Sequence, residues 1–125
     1  MTTIAAYVFA FILAGLAVLQ VAVAAGAPLG HFVWGGQHKV LPKRLRIGSV
    51  VALAIYAVFI TVMWSRAGLV AGLPDNIAVI GAWVITVFFA LGTLANGISR
   101  SLPERYTMTP VNVALLACCL IIVLG

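Results

Sequence analysis

Four long apolar runs alternate with short polar segments along the chain. The runs extend from about Ile4 to Ala25, Leu45 to Trp64, Ile77 to Ile98 and Met108 to Leu124. A helix needs about 20 apolar residues to cross a bilayer, and these runs have about that length. None of them shows the strict apolar–polar alternation of a membrane β-strand. The pattern therefore predicts an all-α integral membrane protein, a four-transmembrane-helix bundle that forms one domain over residues 1–125.

Proline and the N-terminal sequence help to set the limits of these spans. Five prolines fall at or near the ends of the apolar runs, as expected at helix boundaries: Pro28, Pro42, Pro74, Pro103 and Pro110. The first run is interpreted as a span and not as a cleaved leader, because no Lys or Arg precedes it and because it is longer than a leader's apolar region.

Composition supports the membrane assignment. Hydrophobic residues make up 65% of the chain and charged residues only 7%, whereas soluble domains carry roughly 25% charged residues. The chain therefore lacks the polar surface that a water-exposed globule needs. Its net charge of +5 does not indicate a nucleic-acid partner, because the basic residues lie beside the spans, where they orient the chain in the membrane. We expect membrane lipids as partners, and no nucleic acid.

The distribution of basic residues predicts the orientation. Arg66 is the only basic residue of the second loop, and the others lie in the first and third loops: Lys39, Lys43, Arg44, Arg46, Arg100 and Arg105. Short loops rich in Lys and Arg stay on the cytoplasmic side. Loops 1 and 3 are therefore expected to be cytoplasmic, with both termini outside, in a bacterial inner membrane. Such a bias argues against small channels and exporters that insert in both orientations.

Acidic residues are rare in this chain. Asp75 and Glu104 are the only two, and the pattern places both between spans, on opposite sides of the membrane. Proton-driven pumps usually keep an ionisable residue inside the membrane, so the sequence disfavours a proton-driven exporter. The separation of the two acids also excludes a two-carboxylate acid–base site.

The polar side chains gather toward the cytoplasmic ends of the spans. Two segments, residues 26–38 and 96–105, frame that end, and the first is too apolar for a solvated loop and too glycine-rich for a continuous helix. We predict a cytoplasm-facing polar pocket between them, with these candidate residues: Gln20, His31, His38, Asn96, Ser99, Arg100, Glu104 and Arg105. In this pocket His31 or His38 would titrate, Arg100 would bind an anionic group, and Gln20 and Asn96 would form neutral hydrogen bonds.

A structural interpretation of the same residues stays open. Glu104 would then pair with an arginine, Asn96 and Ser99 would cap the third helix, and the basic run from Lys39 to Arg46 would contact lipid headgroups.

Small residues form a line along the first span. Ala6, Ala10, Ala14, Ala22 and Gly26 follow one another in steps of four residues, interrupted by Val18. Such a helix-packing seam lets another backbone approach closely. It would serve packing within one bundle or contact with a second copy of the chain.

Catalytic and cofactor chemistry finds little support. Cys118 and Cys119 are neighbours in the last apolar run, where small packing residues are the expected role. No Ser or Cys can be paired with a base by spacing. His31 and His38 lie in one glycine-broken segment, which disfavours haem between helices. We expect no metal and no cofactor.

The motif from Gly30 to Gly36 and the one from Asn96 to Ser101, followed by Pro103-Glu104-Arg105, resemble the inter-helix motifs of small bacterial four-span membrane protein families to which no activity is assigned. This resemblance implies a four-helix inner-membrane bundle. Small multidrug exporters share the length and span number but carry a glutamate in the first span, where this chain has Gln20. The pore motifs of small fluoride channels are not present.

Two classes of function follow from these observations. The first is a non-enzymatic accessory subunit, or a small oligomeric transport or permeation unit, whose partner is a second copy or a larger membrane complex. The second is a membrane-embedded enzyme or binder that acts on a lipid-soluble molecule at the inner interface, with His31, Arg100 and Glu104. A hydrophobic or an anionic small molecule is the expected ligand, and we favour the non-enzymatic class.

Overall fold

The computed structural model describes all 125 residues and contains no strand. Its long helices are α1 (Thr2–Ala24), α2 (Lys43–Arg66), α3 (Asp75–Gly97) and α4 (Leu102–Leu124). Each is long and apolar enough to cross a membrane, which indicates a multi-pass membrane protein. The predicted all-α architecture with four such helices is confirmed.

The helices form a ring in which sequence neighbours are also neighbours in space. α1 packs on α2 and α4, and α3 packs on the same two helices. Loops 1 and 3 meet at one end of the bundle, where the Ser101 hydroxyl donates a hydrogen bond of 2.6 Å to the His31 carbonyl. Loop 2 and the chain termini meet at the other end, where Arg66 Nη2 donates to the Val123 carbonyl at 3.3 Å. We call these the loop 1–3 end and the terminal end.

The densest packing lies toward the terminal end. Phe9 and Leu13 of α1, Phe89 of α3 and Leu115 of α4 form a continuous buried cluster with their neighbours. Helix α2 contributes little to it, because Met63 and Ser49 are its only buried residues. Three helices therefore share most of the core, and α2 lies against them as the least buried member.

Helix α4 begins at Leu102, before the predicted start of the span at Met108. The Ser101 hydroxyl accepts a hydrogen bond from the Glu104 N–H at 3.4 Å, and Pro103 occupies the first turn, a combination that favours a helix start. Glu104 therefore belongs to the helix and not to the loop before it. Pro110 lies inside α4, contrary to the prediction that it marks an end, and it cannot donate the helical bond to the Tyr106 carbonyl.

Loop 1 folds back onto the bundle as two short 3₁₀ turns, Gly30–Phe32 and Trp34–Gly36. The Gly30 N–H donates to the Lys39 carbonyl at 2.8 Å, which joins the two ends of the loop. Gly36 has a φ of 71° and packs directly against Ser101 of the third loop. Because a side chain at Gly36 would meet Ser101, glycine is required at this contact.

Candidate functional site: a cavity inside the bundle

A cavity of about 600 Å³ lies between the four helices, in the half of the bundle near the loop 1–3 end. Small-molecule sites in proteins typically enclose about 300–1,000 Å³. Nineteen residues line it, thirteen of them hydrophobic, and every long helix contributes. They are Leu16, Leu19, Gln20, Phe32, Val33, Trp34, Gly48, Val51, Ala52, Ile55, Tyr56, Phe59, Phe88, Phe89, Gly92, Asn96, Glu104, Met108 and Asn112.

Aromatic rings close the cavity toward the terminal end. The ring centroid of Phe59 lies 5.3 Å from that of Phe88 and 5.7 Å from that of Phe89, both in edge-to-face geometry. Phe89 in turn meets Phe9 at 5.8 Å, which connects this floor to the buried core. Edge-to-face pairs stabilise such clusters beyond the burial of their area. The floor of the cavity is therefore part of the packed core.

The first loop covers the opposite end of the cavity. Phe32, Val33 and Trp34 line it there, and the Trp34 indole N–H donates to the Ser49 hydroxyl at 3.0 Å. Gly48 makes room for the indole, since a Cβ at that position would lie 2.8 Å from Trp34 Cζ2. Trp34 also has a φ of 52°, which is rare for a bulky residue. The packing between loop 1 and α2 holds this backbone conformation in place.

The cavity reaches the surface between α2 and α3. Val51 and Ile55 of α2 and Phe88 of α3 line it, yet they are 51%, 42% and 53% exposed. Residues that both line a cavity and face outward mark its rim. Because the surrounding helix surfaces are apolar, this rim would open toward lipid in a membrane.

Glu104 is the charged residue of the cavity wall. Its side chain is only 7% exposed, and its Oε2 atom has no hydrogen-bond partner. The Gly35 N–H and the Ser99 hydroxyl approach the carboxyl group. A buried charged group without a full set of partners is costly, so this carboxyl group is incompletely satisfied by the chain.

Three amides share the wall with Glu104. Asn96 Nδ2 donates to the Gly92 carbonyl at 2.9 Å, and Asn112 Nδ2 donates to the Met108 carbonyl at 2.9 Å. Gln20 Nε2 donates to the Tyr56 hydroxyl at 3.2 Å, while its Oε1 is buried without a partner. Each amide nitrogen thus uses one of its two N–H groups within the chain, and the oxygens remain as acceptors.

The residues predicted for the polar pocket divide into two groups. Gln20, Asn96 and Glu104 line the cavity together. Ser99 lies behind the wall, where its carbonyl accepts from Arg105 Nε at 3.1 Å and from Nη2 at 2.8 Å. The Arg105 side chain therefore bonds to the backbone of the third loop and does not line the cavity.

The remaining predicted residues lie outside the cavity. His31 is exposed, and its Nδ1 atom lies 2.9 Å from the Gly36 carbonyl. His38 is half-buried and Arg100 is exposed. The histidines and Arg100 therefore do not line the cavity with the amides and Glu104.

Several lining residues were not predicted from the sequence. Tyr56, Met108 and Asn112 belong to the cavity, and Trp34 covers it. One signal was available in the sequence, because Gly48, Ala52, Tyr56 and Phe59 recur at the spacing of one helix face. No comparable pattern in the sequence indicated which residues of the other helices line the cavity.

The residues of the helix-packing seam of α1 differ in how deeply they are buried. Ala6 is fully buried, Ala10 and Ala22 are half-buried, and Ala14 is exposed. At Gly26 the Arg46 guanidinium occupies the space beside the backbone, with Nη2 3.2 Å from the position that a Cβ atom would take. The seam thus serves packing in the bundle at Ala6, while Ala14 lies on the outer surface.

The site offers shape and hydrogen-bond acceptors, and the lining residues include no nucleophile paired with a base. Cys118 and Cys119 are free, buried thiols in the core. No group of three or more His, Cys, Asp or Glu side chains is placed to hold a metal ion.

Comparison with protein-family models, curated proteins and solved structures finds no significant match.

Proposed function

We propose that this multi-pass membrane protein binds an amphipathic, lipid-soluble molecule in the cavity between its helices. It would act as a small transport unit or an accessory subunit and not as an enzyme. The observation that carries this proposal is the cavity itself. Its volume suits a small ligand, its wall is apolar with a few convergent polar groups, and its rim opens on an apolar surface.

The proposed orientation fixes where the ligand would lie. With loops 1 and 3 on the cytoplasmic side, as their basic residues favour, the cavity occupies the cytoplasmic half of a bacterial inner membrane. A ligand would enter sideways from that leaflet, between Val51 and Phe88. Its polar end would lie near Glu104, and its apolar end near the Phe59 floor.

An enzyme that acts through His31 and Arg100 is not proposed. Both side chains lie outside the cavity, so a molecule held there would not meet them. The cavity wall instead offers groups that recognise and orient a ligand.

Photo-crosslinking tests this proposal. The full chain, reconstituted in phosphatidylcholine nanodiscs, is irradiated with benzophenone that carries a hexyl chain ending in a hydroxyl group. Benzophenone inserts into nearby C–H bonds, so adducts are expected on peptides that contain Met108 or Ile55. Labelling should saturate with probe concentration, since it reports a site and not general contact with lipid.

Two matched variants provide the control. Ala52→Phe fills the cavity, because Ala52 lines it, whereas Ala54→Phe adds the same bulk on the exposed side of α2. Labelling at Met108 should fall by about tenfold in the first variant and persist in the second. Unsaturable labelling, or equal labelling of the two variants, would show that the cavity is not a binding site.

A further inference from the structure

We infer that the molecule bound in this cavity carries a positively charged, hydrogen-bond-donating head group, such as a primary or secondary ammonium. This inference rests on the proposed binding function and specifies the chemical class of its ligand. It is carried by the geometry around Glu104 and by the direction of the amides that share the cavity wall with it.

Glu104 supplies the charge. It is more than nine-tenths buried in the cavity wall, and Oε2 lacks a hydrogen-bond partner. A carboxylate in an apolar site is stabilised by a cation that also donates hydrogen bonds. Glu104 lines the cavity, so its carboxyl group borders the space that a ligand would occupy.

The chain itself does not supply that cation. Arg105, the next residue, donates to the Ser99 carbonyl. Arg46 donates to the Leu41 carbonyl at 2.8 Å and does not line the cavity. Arg100 is exposed and lies outside the cavity. The acid in the wall is therefore left without a basic partner from the bundle.

The amides add acceptors beside this acid. A backbone carbonyl can only accept hydrogen bonds, so the bonds from Asn96 to Gly92 and from Asn112 to Met108 direct one N–H of each amide toward its own helix and leave the second N–H unused. The Oδ1 atoms are then the free ends of these side chains. The cavity wall thus includes two amide oxygens beside the Glu104 carboxyl group, which suits a ligand with several N–H groups.

Aromatic side chains favour the same class of ligand. Trp34 and Tyr56 line the cavity together with Glu104. The faces of such rings attract cations, most strongly where water is excluded. An anionic head group would meet a carboxylate and several carbonyl oxygens instead, so the cavity disfavours the anionic ligand that an Arg100 site would bind.

Three benzophenone–hexyl probes that differ only in the head group test the inference: an amine, an alcohol and a carboxylate. They are compared in zwitterionic phosphatidylcholine nanodiscs at equal mole fraction in the membrane, which removes attraction to anionic lipid. For the wild-type chain, the amine should half-saturate the Met108 adduct at a concentration about tenfold below that of the alcohol. The carboxylate should bind most weakly.

Variants assign the preference to one residue. Glu104→Gln should abolish the advantage of the amine, so that the amine and the alcohol half-saturate the Met108 adduct within about twofold of each other. Asp75→Asn, which neutralises the exposed acid at the start of α3, should keep the full preference. The comparison of the three probes on the wild-type chain remains decisive even where Glu104→Gln fails to fold.

The outcomes separate the two proposals. Equal labelling of the wild-type chain by all three probes overturns the ammonium assignment while the binding function stands. An amine preference that survives Glu104→Gln overturns the role given to Glu104. The absence of saturable labelling by any probe overturns the binding function, and the assignment that rests on it.

Discussion

The Trp34 indole N–H donates a 3.0 Å hydrogen bond to the hydroxyl of the fully buried Ser49. This bond joins loop 1 to α2 where the loop covers the cavity. It adds a second polar anchor to loop 1, which the Ser101 hydroxyl also holds through its bond to the His31 carbonyl.

Ser49→Ala should weaken this cover. The substitution leaves the indole N–H without its acceptor and should lower the free energy of unfolding by about 1 kcal/mol. The Trp34 contribution to the fluorescence spectrum should change as well. Thr61→Ala is the control, because the Thr61 hydroxyl is exposed and bonds only to the Ala57 carbonyl of its own helix. Equal effects of the two variants in detergent unfolding would show that the Trp34–Ser49 bond contributes nothing specific.

Gly48→Ala should displace the indole of Trp34. A Cβ at Gly48 would lie 2.8 Å from Trp34 Cζ2, whereas a Cβ at Gly15 of α1 meets nothing within 4 Å. Replacing glycine by alanine inside a helix favours the helix by about 1 kcal/mol. Gly15→Ala should therefore be neutral or stabilising, and Gly48→Ala should be less stable than Gly15→Ala by more than about 1 kcal/mol because of overpacking.

The same experiment repeated in a Trp34→Ala background identifies the cause. Removal of the ring should eliminate the difference between the two glycine variants. A difference that persists without the indole would contradict the proposed contact.

Alanine substitutions at two neighbouring glycines distinguish the cost of backbone strain from the cost of disturbing the contact between loops 1 and 3. Gly35 and Gly36 have φ values of 76° and 71°, so alanine at either position should cost about 1–2 kcal/mol through backbone strain. A Cβ at Gly35 meets nothing within 4 Å, whereas one at Gly36 meets Ser101. Thermal unfolding should therefore show a larger loss for Gly36→Ala, by about 1–3 kcal/mol. Equal losses would mean that the loops are not in contact.

Labelling of single cysteines should establish the orientation. Lys43→Cys lies at the loop 1–3 end and Ala71→Cys in loop 2, and both native residues are exposed. A membrane-impermeant maleimide added to intact spheroplasts should label Ala71→Cys, and should label Lys43→Cys only after permeabilisation. The wild-type chain, whose Cys118 and Cys119 are buried, should stay unlabelled. Reversal of this pattern would reverse the proposed topology.

The seam of α1 is expected to serve two different contacts. Ala6→Leu should lower stability by about 1–3 kcal/mol, because Ala6 is fully buried in the bundle. Ala14→Leu should leave stability within about 0.5 kcal/mol but reduce self-association, because Ala14 lies on the outer surface beside Gly15. Thermal unfolding measures the first effect, and mass measurement in nanodiscs measures the second. An unchanged oligomeric state for Ala14→Leu would exclude this face as a subunit contact.

The sequence predicted the four helices well because hydropathy over about 20 residues reports a property of single segments. Hydropathy placed the start of α4 too late in the chain, because Glu104 and Arg105 are polar and resemble loop residues. The signal that mattered was local, the cap at Ser101 followed by Pro103. Hydropathy does not contain that information.

The candidate site was predictable only in part, for a physical reason. Gln20 and Asn96 reach the cavity because they lie on predicted helices, whose inward faces follow from helical spacing. Glu104 reaches it from the first turn of α4, which was predicted to be loop. The positions of His31 and His38 depend instead on the path of loop 1, which is set by positive φ values at Trp34, Gly35 and Gly36. Sequence spacing alone does not determine such a path, and neither histidine lines the cavity that Gln20, Asn96 and Glu104 line.

The small buried surface of α2 has a mechanical consequence. Met63 anchors this helix at the terminal end, and Ser49 is its only other buried residue. Two hydrogen bonds join it to α1, from Trp64 Nε1 to the Ala6 carbonyl at 2.9 Å and from Gln20 Nε2 to the Tyr56 hydroxyl at 3.2 Å. Because so little of α2 is fully buried, its position should depend more on these polar links to α1 and loop 1 than the positions of the other three helices do.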